Sequence, residues 1–189
     1  MNKLKVFCFG FGQVAESFIN KLINQKKNFD LSVTSRQETH EIEINNIKIK
    51  SYQFTKDKFD SAFKKKLEES DYILISIPPI EGEDIVANYL NADQKKLLNC
   101  KWITYLSATS VYGDHKGDWV KENSATKPTS DNGINRLEAE KAWKSLSKKN
   151  NYPLQIFRLA GIYSNEFNIL KRLQTGAVRI VDKKNHFFF

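Results

Sequence analysis

The apolar and polar positions along the chain divide it into alternating strand and helix patterns. An apolar run from Leu4 to Phe9 predicts a buried strand, and Val14, Phe18, Leu22 and Ile23 then recur at helical spacing. Phe29 to Thr34 predicts a second strand. From Glu41 to Phe54 apolar residues alternate with polar ones around Asn45-Asn46 (Ile42, Ile44, then Ile47, Ile49). That stretch is either a hairpin turned at the Asn pair or a short strand followed by the third core strand. Phe59, Phe63 and Leu67 mark an amphipathic helix ending near Glu69-Ser70. Tyr72 to Ile77 is a continuous apolar run, as a parallel strand buried on both faces requires, and it stops at Pro78-Pro79. A helix over Asp84–Leu98 and a strand over Trp102–Ser107 follow. Strands alternating with helices predict an α/β fold, a doubly wound parallel sheet of six or seven strands in three αβα layers.

The break between the first strand and helix carries the first candidate chemistry. It reads Gly10-x-Gly12-x-x-Ala15, and a strand, a glycine turn and a helix in that order is how Rossmann-like folds hold a dinucleotide. Gly10 would permit the tight turn, Gly12 the close approach of backbone to a pyrophosphate, and Ala15 tight packing of helix on strand. Free N–H groups at the helix start, beginning with Gln13 and Val14, would face the phosphates. A purely structural glycine turn is the competing reading. The second strand ends in Thr34-Ser35-Arg36, with no acid before Glu38. A guanidinium beside hydroxyls suits a 2′-phosphate, which favours NADP over NAD; an ordinary surface Arg36 is the alternative. Ile77 and Pro78 fall at the carboxyl edge of the sheet, where they would be cofactor walls or a plain strand stop.

Composition narrows the classes. With 189 residues, 40% hydrophobic and 12% aromatic, the chain suits a single domain over 1–189. The net charge is +8, but the lysines are scattered in short groups (Lys26-Lys27, Lys64-Lys65-Lys66, Lys95-Lys96, Lys148-Lys149), with no basic stripe interleaved with aromatics. Nucleic acid is therefore not an expected partner. No apolar run approaches the ~20 residues that cross a bilayer, so no membrane association is expected. Cys8 and Cys100 lie in or beside strand patterns and read as thiols of a reducing cytoplasm. The three histidines are dispersed and give no metal-ligand spacing.

A second stretch, Leu106-Ser107-Ala108-Thr109-Ser110-Val111-Tyr112-Gly113-Asp114, resembles the end of the fifth strand in extended short-chain dehydrogenase/reductases, the NAD(P)-dependent epimerase/dehydratase family. The landmarks that follow agree: Glu122, Pro128-Thr129-Ser130, a helix carrying Ala139-Glu140, and Phe157-Arg158-Leu159-Ala160-Gly161-Ile162-Tyr163. The Gly10/Gly12 spacing resembles that of an atypical subgroup. The resemblance implies a dinucleotide cofactor, NADP or NAD, a nucleotide-sugar or similar carbonyl/hydroxyl substrate, and a homodimer through helices around Asp84–Leu98 and Arg136–Ser147.

The family's reaction uses a Tyr-x-x-x-Lys pair and a strand-end Ser or Thr. Aligned on Ala139-Glu140, those positions hold Asn132, Arg136 and Ala108. Asparagine has no proton to exchange near neutrality. Arg136 keeps a charge for ribose or phosphate, with Ser107 beside it as a further cofactor contact. A replacement proton donor would be Thr109, Tyr112 or water. The alternative is a non-catalytic dinucleotide-binding sensor or regulatory module. Beyond the sixth strand, Phe167, Ile169, Leu170 and Leu173 predict a short helix and Ala177–Val181 a strand before His186-Phe187-Phe188-Phe189. The resemblance implies a C-terminal substrate-binding region largely missing here; a short protein whose Phe tail packs on the core or a partner is the other reading.

Overall fold

A computed structural model describes residues 3–92, 97, 99–165 and 168–176. The expectations for Lys95-Lys96, Leu98, Phe167, Ala177–Val181 and His186–Phe189 lie outside those residues. Seven strands form one sheet: β1 (Leu4–Phe9), β2 (Phe29–Ser35), β3 (His40–Ile44), β4 (Ile47–Gln53), β5 (Tyr72–Ile75), β6 (Trp102–Ala108) and β7 (Leu154–Leu159). Their order is β3-β4-β2-β1-β5-β6-β7, parallel except where β3 pairs antiparallel with β4. The order reverses at β1, with β2 on one side and β5 on the other. In doubly wound sheets that reversal opens a crevice at the carboxyl edge.

Among the described residues four helices flank the sheet, α1 (Gln13–Asn24), α2 (Phe63–Glu68), α3 (Ile85–Ala92) and α4 (Asp131–Asn150), and a short α5 (Ile169–Gln174) buries none of its residues. One face carries the larger core, in which Phe7, Phe9, Ile75 and Tyr105 pack against Phe63 of α2, Val86 and Leu90 of α3, and Trp143 and Leu146 of α4. On the other face α1 places Ala15 and Ile19 against β1 and β2. The helix covers only that half. Leu74, Trp102, Leu106 and Phe157 on β5, β6 and β7 line an apolar groove of about 430 Å³ together with Val14, Phe18 and Leu22. Phe18 is consequently 41% exposed, although its spacing predicted a core position.

Several boundaries differ from those predicted, each for a local reason. Asn45 and Asn46 both adopt positive φ (49° and 63°), the geometry of a two-residue hairpin turn. Both readings of that stretch hold together, since β4 is at once the hairpin's second arm and a core strand paired with β2. Phe59 does not join α2: it bridges back to Phe54 around a turn closed by Thr55 and Lys58. Strand β5 ends at Ile75, two residues early, because the Ser76 hydroxyl donates to the carbonyls of Phe9 and Gly10. Helix α3 starts at Ile85, with the buried Asp84 carboxylate accepting from the N–H groups of Val86 and Ala87. Of the landmark stretch Phe157–Tyr163, only the part up to Leu159 is strand.

One buried polar network joins three elements. Glu140 of α4 is fully buried and accepts from Arg158 of β7 (Nε to Oε1 2.9 Å, Nη2 to Oε2 2.8 Å) and from the Ser107 hydroxyl of β6 (2.8 Å). Burial pushes the Glu140 carboxyl up, but the Arg158 and Ser107 hydrogen bonds and the Lys144 charge outweigh it, leaving it below its ordinary 4.5. The folded state therefore favours the carboxylate more than the unfolded chain does. That stabilisation is full above the unfolded value and is lost as pH falls through the lower folded one.

Replacing Glu140 with Gln leaves Arg158 without its counter-charge. We expect a loss of about 3–5 kcal/mol in urea unfolding at neutral pH. The variant's stability should also fall less steeply than the wild type's as pH drops below the ordinary carboxyl value of 4.5.

Candidate functional site

The β1–α1 turn is set by contacts from two neighbouring strands. Gly10 has φ +83°, its N–H donates to the Thr34 hydroxyl of β2 (2.9 Å), and its carbonyl accepts from Ser76 after β5 (3.1 Å). A Cβ there would lie 2.9 Å from both Ile77 Cγ1 and Ser76 Oγ, so glycine is required by conformation and by space. Gly12 differs. Its φ of −93° suits any residue, and a Cβ would meet nothing within 4 Å. It is the N-cap of α1 and supplies no side-chain cap, so the helix's first N–H groups face the open carboxyl edge. The Gln13 side-chain Nε2 is buried without a hydrogen-bond partner, an orphaned donor beside those amides.

Two cavities meet at this turn, sharing Gly12 and Ser76. The larger, about 660 Å³, lies beyond the carboxyl ends of β1, β2 and β4 and is lined by Gly10, Thr34, Ser35, Arg36, Lys56, Ile77, Pro78, Glu81 and Glu83 among others. Arg36 is exposed at its rim; the Ser35 hydroxyl accepts from Ser51 (3.1 Å). Across the opening, Lys56 pairs with Glu83 at 2.8 Å. The smaller cavity, about 280 Å³, lies on the β5–β6–β7 side and is lined by Gln13, Val14, Leu106, Ser107, Ala108, Arg136 and Ala160 among others. All ten residues expected to touch a cofactor thus line one cavity or the other.

The residues expected to move protons are not brought there. Tyr112 is buried in the 3₁₀ turn Thr109–Tyr112, with the Arg158 guanidinium 4.7 Å over its ring and His115 edge-on. Thr109 is exposed, as is Asn132 in the first turn of α4. None of the three lines either cavity. Ala108 does, and offers no polar group; Ser107 does, but its proton is committed to Glu140. Arg136 is held by the Leu106 carbonyl (Nη1 to O 2.6 Å) and reaches the Tyr105 hydroxyl at 3.5 Å. Tyr105 is pushed up to about 12, chiefly by burial, so its phenol stays neutral.

Thr34 and Ser76, which pin Gly10, were not singled out from sequence; each sits at a strand end beside a motif and is otherwise an ordinary polar residue. Cys8 is buried and its thiol is pushed up to about 12 by that burial, which makes it inert. No cluster that could hold a metal ion occurs among the described residues, nor any helix long and apolar enough to cross a membrane.

The sequence matches no protein-family model and no curated protein. Solved structures do match. A functionally unknown conserved protein from Silicibacter pomeroyi is 28% identical, with TM-score 0.69 over 95% of this chain and 60% of that one. UDP-glucuronic acid 4-epimerase from Bacillus cereus, solved with NAD, has TM-score 0.71 at 15% identity, covering 91% of this chain and 64% of that one. UDP-N-acetylglucosamine 4-epimerase from Bacillus cereus has TM-score 0.64 at 18% identity, covering 88% and 57%. At these identities the epimerases establish the Rossmann-like fold. The chain spans about three-fifths of the length of the structures it matches.

The two glycines should separate on mutation. Gly10→Ala places a side chain in left-handed backbone against Ile77 and should cost at least about 1–3 kcal/mol in thermal or urea unfolding. Gly12→Ala should cost less, about 0.5–1 kcal/mol, because its Cβ points into open space and only the N-cap preference for glycine over alanine is lost.

Proposed function

We propose that this chain binds a nicotinamide adenine dinucleotide across the Gly10–Gln13 turn and prefers NADP(H) to NAD(H). The observation that carries the reading is the open cradle at Gly12: uncapped helix amides, an orphaned Gln13 donor and space a Cβ would fill, between two cavities. A dinucleotide has two nucleotide halves joined by a pyrophosphate, and the two halves of a doubly wound sheet suit them. The pyrophosphate would lie against the first turn of α1, whose amides and dipole favour an anion. The adenosine half would occupy the larger cavity, with its 2′-phosphate toward Ser35 and Arg36. The nicotinamide half would occupy the smaller one, beside Arg136 and Ser107. The cofactor, when bound, supplies hydride chemistry; the protein supplies binding and orientation.

Among the described residues lining the smaller cavity none exchanges a proton near neutrality, which favours a binding or sensing module over an ordinary oxidoreductase. A second reading keeps catalysis on a nucleotide sugar. It is supported by the fold shared with the UDP-sugar epimerases and by the Ser107 hydroxyl at the end of β6. In that case Thr109, Tyr112 or water must reach the substrate oxygen. NADPH oxidation in the presence of UDP-sugar carbonyl compounds would support the second reading; saturable NADPH binding without turnover supports the first.

A ligand that binds only the folded state raises its apparent stability, so NADPH at about a hundred times its Kd should stabilise the protein by about 2.7 kcal/mol. Arg36→Ser should weaken NADPH about tenfold and leave NADH almost unchanged in calorimetric titration, since the lost bonds are charge-assisted and specific to the 2′-phosphate. Equal losses for both would remove Arg36 from that role. Gly12→Ala should lower affinity for both cofactors without the stability loss of Gly10→Ala.

A further inference from the structure

The smaller cavity carries positive charge without an acid to balance it. Arg136 enters it from α4 and is held against the end of β6 by the Leu106 carbonyl at 2.6 Å. Facing it from α1 are the uncapped amides beginning at Gln13, the positive end of a helix dipole. Among the described residues, none that lines it is acidic. The carboxylates nearby in the fold are committed elsewhere. Glu140, behind Ser107, is held by Arg158 and Lys144. Asp84, which does feel the Arg136 charge, is buried and accepts from Val86, Ala87 and the Trp143 indole.

Given the dinucleotide reading above, on which this inference rests, we propose that Arg136 makes the site selective for the reduced cofactor, so that the chain reads the redox state of its ligand. NADPH and NADP⁺ share the adenosine, the 2′-phosphate, the pyrophosphate and both riboses. They differ in the nicotinamide ring, which is neutral when reduced and a pyridinium cation when oxidised. Every contact in the larger cavity is therefore common to both forms and cancels in their ratio. The discrimination falls on the smaller cavity, where the oxidised ring meets the fixed Arg136 guanidinium of the same sign. At the effective dielectric near a protein surface, two like charges a few ångströms apart change affinity by about tenfold or more. Because the guanidinium never deprotonates in the physiological range, the preference should not depend on pH.

Calorimetric titration of the full chain with NADPH and with NADP⁺ tests this. The expected result is tighter NADPH binding by about tenfold or more, a ratio that Arg136→Lys retains. Arg136→Gln should bring the two forms within about twofold of each other, chiefly by strengthening NADP⁺. A merely structural Arg136 would weaken both forms together and leave the ratio alone, which would overturn the inference. Equal affinity in the wild type would overturn it as well, and that measurement stands even if Arg136→Gln fails to fold. Absence of binding by either form would instead overturn the dinucleotide reading beneath it.

Discussion

The buried pairing of Glu140 with Arg158 and Ser107 organises the half of the molecule that carries the smaller cavity. It joins the end of β6, the middle of α4 and β7 at a point with no solvent to replace a missing partner. Arg158 extends the network by donating to the Glu122 carbonyl at 3.1 Å and covering the Tyr112 ring. Arg136 lies one helical turn before Glu140 on α4, so the two face the same way. Anchoring Glu140 sets the rotation of α4, and that rotation presents Arg136 to the end of β6. The Ser130 cap at the start of α4 and the close approach of Gly133 to the Ser110 carbonyl fix the helix from its other end.

The same network decides what chemistry is absent. Ser107 has the one hydroxyl on the β6 end that lines the smaller cavity, and Glu140 takes its proton. Tyr112 has a phenol, but Arg158 lies on its ring and the residue is buried in the 3₁₀ turn. Groups that could assist proton transfer are thus used to hold the strand ends together. What remains open at the carboxyl edge is donor-rich: helix amides, the orphaned Gln13 amide and Arg136. On the side of the smaller cavity those donors suit an anionic ligand better than acid–base work, whereas Asp57, Glu81 and Glu83 line the larger cavity.

Much of the fold was legible because burial imposes a pattern. Apolar runs marked β1, β2, β5 and β6, and the Pro78-Pro79 stop marked the carboxyl edge correctly even though Ser76 ends β5 two residues sooner. Phe59 misled because an aromatic at helical spacing also packs from a turn, where it meets Phe54, Phe63 and Tyr89. Phe18 misled because α1 overhangs the part of the sheet it does not cover. The residues that line the two cavities were legible through motifs whose geometry is local. Thr34 and Ser76 were not, since each matters through one hydrogen bond to a residue 24 or 66 positions away. Glu140 and Arg158 were visible as landmarks, but their pairing across 18 residues follows only from the register of β7 on β6.

The division of labour between the cavities follows from the reversal of strand order at β1. Of these two cavities, residues of β2 line only the larger, and residues of β6, α4 and β7 only the smaller. Arg36 and Arg136, the arginines lining the two cavities, would therefore act on opposite ends of the proposed dinucleotide. On the proposed reading, the charge at Arg36 would distinguish what the adenosine half carries, and the charge at Arg136 the state of the other half. Because the turn between them is pinned by Thr34, Ser76 and Ile77, neither arginine can compensate for the other by shifting the ligand along the edge. The two selectivities should consequently be separable, each set by one cation on its own side of β1.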